Sequence, residues 1–202
     1  MSEPLDPVVG WRLWELDGHG LSSRDGEYRW DVGENQASCS AKTGRPCEVA
    51  PGPGCHCGFW GLWGPGRCLH RAAELGVGAG GVLGLVAGWG TVAYHGDEGF
   101  RAGQARPIAL FSDWPWDEPA LTRGARRLQR WLFRRQREPG AGAGKLDARG
   151  RRTSHLAAAA ARYQVPMLTL DQAVRFGVLG ELGVRREGCA ELDAILRLEP
   201  AG

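Results

Sequence analysis

The stretch from residue 82 to residue 111, VLGLVAGWGTVAYHGDEGFRAGQARPIALF, decides the fold class of this chain. Its first part, 82–94, is apolar but contains three glycines, which weaken a helix and therefore favour β-strands. Residues 95–99 combine Gly with Asp, a composition typical of turns, and 107–111 form a second apolar run. These observations predict β structure on both sides of a turn at 95–99.

Further β-strands are predicted toward the N-terminus. Residues 11–16 (WRLWEL) are a short run rich in aromatic side chains, and the turn-forming sequence at 17–20 ends it. Residues 27–32 (EYRWDV) alternate polar and apolar side chains, as a half-buried strand does. We therefore expect a β-rich domain over residues 1–116.

The sequence changes character after this domain. Residues 117–138 predict a basic helix, because apolar residues recur there at helical spacing: Leu121, Ala125, Leu128 and Leu132. Residues 139–152 begin with a run of Pro, Gly and Ala and are predicted to be a flexible linker. The remainder, 153–202, is predicted to be a small helical C-terminal segment, in which Thr169 and Gln172 match a capping box.

The composition excludes several classes of protein. The chain has 202 residues, of which 43% are hydrophobic and 24% are charged, so it is neither disordered nor fibrous. Its 32 glycines show no three-residue period, which excludes collagen, and each of its 9 tryptophans can bury a large apolar surface. Ser2, Glu3 and Asp6 argue against a secretory signal, so we expect a soluble cytoplasmic protein that does not associate with a membrane.

The sharpest motif in the chain consists of four cysteines within nineteen residues rich in Pro and Gly: Cys39, Cys47, Cys55 and Cys57. Such a loop cannot build a core of its own, and four thiolates around a zinc ion would order it. A site of this kind is structural, because four protein ligands leave no open coordination position. Disulfides and unconnected free thiols are the alternatives, and Cys68 and His70 are reserve ligands.

These features combine into one expected architecture of the α+β class. It is a zinc-supported, Trp-rich antiparallel β domain, followed by a basic amphipathic helix and a small helical tail. Structural zinc is the cofactor that the sequence indicates.

Two segments of the chain carry a family resemblance. The cysteine segment, which ends in CHCGF at 55–59, and the segment WGTVAYHGDEGFRA at 89–102 resemble small uncharacterised proteins of actinobacteria and their phages. The resemblance covers roughly residues 11–111 and, more weakly, 156–184. In relatives of that kind a His often stands where this chain has Cys47, and a zinc ligand position permits that exchange. The resemblance thus supports a zinc site and implies no activity.

The charge of the chain is concentrated in one segment. The net charge is +2, but residues 1–119 carry a net charge of −6 and residues 120–152 a net charge of +9. Positions 123–137 could therefore bind the phosphates of a nucleic acid through four arginines: Arg126, Arg127, Arg130 and Arg134. The alternative is a solvated arginine face opposite an apolar stripe that docks on the acidic domain or on a protein partner.

Two further motifs could carry chemistry. A polar cluster beside the turn could hold a carboxylate or phosphate, or place a general base: His95, Asp97, Glu98 and Arg101. A charged turn is the alternative, and we predict no catalytic residue because no nucleophile is recognisable as its partner. Residues 76–81 match the GxGxxG pattern of dinucleotide sites, but a helical turn precedes them where that motif needs a strand.

Three classes of function follow from these features. The leading hypothesis is a non-enzymatic binding or adaptor protein with a structural zinc site and another protein as its partner. The alternative is a nucleic-acid-associated accessory protein that uses the arginine-rich helix. The third is an enzyme with a site around His95 or the glycine loop at 76–81.

Overall fold

The computed structural model of the chain describes seven ranges, to which every structural statement below refers: residues 6–17, 20–23, 28–39, 45–74, 81–113, 145–175 and 177–197. Seven strands are present in these ranges: β1 (Val8–Asp17), β2 (Gly20–Ser22), β3 (Asn35–Gln36), β4 (Phe59–Leu62), β5 (Gly81–His95), β6 (Gly99–Phe111) and β7 (Met167–Leu168). Five helices accompany them: α1 (Pro65–Glu74), α2 (Lys145–Tyr163), α3 (Leu170–Arg175), α4 (Val178–Glu181) and α5 (Arg186–Arg197).

Four of the strands are hydrogen-bonded in a closed circuit. β5 and β6 form a long antiparallel hairpin, and β1 pairs with β5 from Val8↔Gly88 to Glu15↔Gly81. β4 pairs with β6 and, through Trp11↔Leu62, also with β1, which completes the circuit. β2 and β3 add antiparallel pairs and β7 a parallel one. The prediction of an α+β fold with a mostly antiparallel sheet is confirmed.

The abundant glycines make room for aromatic rings inside this circuit. A Cβ atom built at Gly61 would lie 2.5 Å from the Phe100 ring, and one at Gly88 would lie 2.6 Å from it. A Cβ atom built at Gly10 on β1 would lie 2.8 Å from the same ring. Because real Cβ atoms essentially never approach so closely, three strands contribute glycine where the Phe100 side chain fills the interior.

Helices cover both sides of the sheet and complete two hydrophobic cores. α2 adds Leu156, Ala159 and Tyr163 to the core that contains most of the buried tryptophans. The helices α3, α4 and α5 pack on the second core, around Trp11 and Phe111. The C-terminal helices therefore share their cores with the strands.

One predicted strand is absent. Of residues 27–32, the structure describes 28–32, and this part forms a single isolated bridge, between Ser22 and Arg29. The side chain of Asn35 accepts a hydrogen bond from the Asp31 N–H at 2.8 Å and donates back to two backbone carbonyls. The chain therefore bends away after Trp30. The alternating pattern reflects the packing of Tyr28 and Trp30 on one hydrophobic core, with a single bridge in place of a ladder.

The predicted linker is partly helical. α2 begins at Lys145, so 145–152 belong to a helix, whereas 139–144 and the predicted basic helix at 117–138 lie outside the described residues. The sequence from 145 onward contains Lys, Leu, Ala and Arg, which are good helix formers and continue into an alanine-rich run.

The predicted capping box is confirmed. The Thr169 hydroxyl accepts a hydrogen bond from the Gln172 N–H at 3.1 Å, and the Gln172 side chain accepts one from the Thr169 N–H at 2.9 Å. This reciprocal pair starts α3 at the residue expected from the sequence.

Among the helices in the described ranges, none is both long enough and apolar enough to span a bilayer.

Candidate metal centre

Two separate segments bring the four cysteines together. Cys39 follows β3, where the Ala37 N–H donates to the Gly103 carbonyl and keeps this run beside β6. The other three lie in residues 45–58, which we call the cysteine loop. Within it the Cys55 N–H donates to the Gly52 carbonyl, closing a turn through Gly54, whose φ of 69° suits glycine. Proline and glycine thus shape a loop that lacks helix or strand.

The four sulfur atoms form a compact group, the cysteine cluster: Cys39, Cys47, Cys55 and Cys57 all place their Sγ atoms within 4.8 Å of one another. The Cys39–Cys55 and Cys47–Cys57 sulfur pairs are 3.6 Å and 3.9 Å apart. A disulfide requires about 2.05 Å. In contrast, two sulfurs on one tetrahedral zinc ion are about 3.8 Å apart, from metal–sulfur bonds of about 2.3 Å. The cysteine cluster could therefore hold a metal ion.

Two glycine features support this arrangement. The Gly52 N–H donates to the Cys57 sulfur at 3.4 Å, which favours a thiolate there. A Cβ built at Gly52 would lie 2.2 Å from the Cys47 sulfur, so a side chain at this position would displace that thiol. Position 52 therefore contributes a backbone donor, which any residue but proline could supply, and open space, which requires glycine.

The thiols differ in acidity. A hydrogen bond from the backbone N–H of Cys57 is the main cause that lowers the pKa of Cys55 to about 7. Hydrogen bonding of its thiol to Cys39 is the main cause that raises the pKa of Cys47 to about 12. Cys57 has a raised pKa, chiefly because of burial. A metal that binds all four as thiolates must therefore displace protons.

Arg101 links the cysteine loop to the sheet. Its Nη1 donates to the backbone carbonyls of Cys55 and Cys57, the latter at 3.0 Å, and its Nε donates to His95 Nε2 at 2.7 Å. The guanidinium also lies 5.5 Å from the centre of the Trp60 ring. The sequence indicates Arg101 as a member of the polar cluster and does not reveal its contact with the cysteine loop. That contact depends on the register of β4 against β6, which places the arginine beside the loop.

The predicted polar cluster is divided in the structure. His95 and Arg101 are in direct contact, and Arg101 also contacts the cysteine loop. Asp97 instead pairs with Arg67 of α1 at 2.6 Å, in an exposed position, and Glu98 contributes its backbone to the turn. The four residues therefore form no common acid–base site.

The remaining candidates lie elsewhere. Cys68 of α1 is buried in the second core, and burial raises its pKa; among the described residues, neither it nor His70 belongs to the cysteine cluster. Of the glycine loop, 76–80 lie outside the described ranges, but a helix precedes it and β5 follows it, the reverse of a dinucleotide site. The arginines of 123–137 also lie outside the described residues.

Comparisons with protein-family profiles, with curated proteins and with solved structures found no match. The resemblance to small actinobacterial and phage proteins stays a prediction.

Proposed function

We propose that this chain is a non-enzymatic binding or adaptor protein, stabilised by one structural zinc ion on Cys39, Cys47, Cys55 and Cys57. The observation that carries the proposal is the cysteine cluster itself, whose sulfur–sulfur distances of 3.6 Å and 3.9 Å match the edges of a tetrahedral tetrathiolate. Four thiolate donors in tetrahedral geometry suit zinc, which needs no redox partner and no further ligand.

The chemistry of the donors favours a structural role over a catalytic one. Four cysteine ligands fill the coordination sphere, so no position remains for water or substrate. The other two thiols do not resemble activated nucleophiles, because burial raises the pKa of both Cys68 and Cys189.

The position of the metal ligands supports a role in binding. Val49 is 60% exposed and His56 is exposed, and both lie between cysteines of the cluster. A zinc ion would hold this part of the chain in one conformation while its side chains face solvent, which reduces the entropy lost on binding. We propose another protein as the partner.

Metal analysis of the protein purified without added metal tests this function. We expect about one zinc per chain, lost together with thermal stability in Cys47→Ser, because a removed ligand opens the site. Cys189→Ser is the matched control, since its thiol lies outside the cysteine cluster and donates to the Val184 carbonyl. Full zinc content in Cys47→Ser would contradict the assignment, as would a metal-free wild-type protein.

The variant Cys47→His tests the ligand type. It should retain most of the zinc, because an imidazole nitrogen replaces a thiolate in many structural zinc sites. Retention in Cys47→His with loss in Cys47→Ser would show that the position needs a metal ligand rather than a small polar side chain.

A further inference from the structure

Arg101 is buried, and no carboxylate of the described residues contacts it. Only 4% of its surface is exposed, and in the part of the chain that the structure describes it is the one buried charged residue. Its contacts are neutral: two backbone carbonyls, an imidazole nitrogen and an indole ring. Burying a cation is costly unless an opposite charge or several hydrogen bonds compensate it. The hydrogen bonds are present, but within the described ranges no side-chain carboxylate supplies the opposite charge.

The cysteine cluster with a bound metal would supply that negative charge. Four thiolates around one divalent ion carry a net charge of about −2. The two carbonyls that Arg101 contacts belong to Cys55 and Cys57, so the guanidinium lies directly beside two of the four ligands. The buried cation and the anionic cluster would each compensate the charge of the other.

We propose that Arg101 is a positioning residue that sets the metal affinity of the cysteine cluster, an inference that rests on the proposed function. It acts in two ways. Its positive charge stabilises the metal-bound tetrathiolate, and its Nη1 atom fixes the peptides at both ends of Cys55-His56-Cys57. The carbonyls of Cys55 and Cys57 are held by one Nη1 atom, which orients the two thiols before the metal binds.

The sheet keeps Arg101 in place. His95 Nε2 accepts the Nε–H at 2.7 Å. Trp60, opposite Arg101 in the β4–β6 register, provides a ring surface on its other side. The guanidinium is thereby preorganised on paired strands, whereas the ligands it positions lie on a loop.

The test compares zinc affinities of the full-length wild type, Arg101→Gln, Arg101→Lys and the control Arg67→Gln, by competition with a chromophoric chelator. Arg67 is matched because it is an arginine in an exposed ion pair with Asp97. We expect Arg101→Gln to weaken zinc binding about 10–100-fold, the usual effect of removing a partner that orients metal ligands. Arg101→Lys should lose less zinc affinity than Arg101→Gln, because it keeps the positive charge. It should still lose some, because an ammonium group does not reproduce the planar guanidinium that contacts both His95 and the two carbonyls. Arg67→Gln should match the wild type.

A second readout separates this role from a purely structural one. The melting temperature of each variant is measured with zinc and after removal of the metal. We expect the zinc-induced rise to shrink in Arg101→Gln, whereas a purely structural arginine would lower both melting temperatures equally and leave the rise unchanged.

The possible results distinguish a failure of the role of Arg101 from a failure of the proposed zinc site. Wild-type zinc binding with less than about a twofold loss in Arg101→Gln overturns this inference and leaves the proposed function standing. A wild type that binds no zinc overturns both. If Arg101→Gln fails to fold, Arg101→Lys decides: an unchanged zinc affinity overturns the inference, and a loss of about threefold or more supports it.

Discussion

At the scale of single residues, the cysteine cluster shows how one backbone donor changes the chemistry of a thiol. Cys55 and Cys57 stand two positions apart, yet the pKa of Cys55 is lowered and that of Cys57 is raised. The difference arises because Cys55 receives the backbone N–H of Cys57, whereas burial dominates at Cys57 itself. Metal affinity must therefore depend on pH through thiols of unequal acidity.

We predict proton release when zinc binds. At pH 8, Cys55 with a pKa of about 7 is mostly a thiolate already, whereas Cys47 with a pKa of about 12 is still protonated, as is most of Cys57. Binding as thiolates should release about two protons or more, and affinity should fall as the pH is lowered. Calorimetry in buffers of different ionisation enthalpy measures this release, and an enthalpy independent of the buffer would contradict it.

At the scale of elements, composition was a good guide to strands and a poor guide to register. The glycines of 82–94 correctly predicted β5, because they disfavour a helix. On the other side of the turn, the sequence indicated only the apolar run at 107–111. The structure instead shows one strand, with a register shift at Leu85/Val86 that accommodates the proline, which cannot donate to a ladder.

The same distinction explains what could be predicted of the candidate metal centre. The four cysteines lie within nineteen residues that lack apolar periodicity, so their spacing alone predicted that their sulfurs would lie close together. The contact of Arg101 with the loop joins residues 44 positions apart and depends on strand pairing. No local pattern encodes such a contact.

Tyr163→Phe tests how α2 is attached to the β1–β2 hairpin. The buried Tyr163 hydroxyl accepts the Leu21 N–H at 3.0 Å and donates to the Trp30 carbonyl at 2.8 Å. Removing it leaves both groups buried without this partner, so the free energy of unfolding should fall by about 1–3 kcal/mol. Urea denaturation measures the change. Tyr94→Phe is the control, because Tyr94 is 60% exposed; equal effects of the two changes would refute the assignment.

At the scale of the whole molecule, helices of the predicted C-terminal segment share their hydrophobic cores with strands of the predicted β domain. A closed strand circuit presents apolar side chains on its outer surface as well as inside, and these must be covered. Leu156 and Leu192, both from the predicted tail, fill the two cores. Sequence periodicity identified the helices but carried no information on the surface they would cover.

The basic segment allows a test of partner class. We expect no shift of DNA or RNA in a mobility assay at physiological salt, because the apolar stripe of 117–138 favours docking or a protein partner. Gln replacements at Arg126, Arg127, Arg130 and Arg134 should then lower stability. A shift that disappears in this quadruple variant, with affinity falling steeply as salt rises, would establish the nucleic-acid alternative.

The hydrogen bonds of Tyr163 have a consequence for the order in which this protein can be made. The ribosome releases Leu21 long before Tyr163, its partner 142 positions later, and β1 must wait for the pairing residues 81–88. During that interval β1 can pair only at Glu15–Asp17 with β2 and at Trp11 with β4, so most of its length exposes unpaired edges and apolar rings. Nascent chains of this protein are therefore expected to need protection by a chaperone until the C-terminal helices have emerged, and slow non-local pairing should limit the rate of folding.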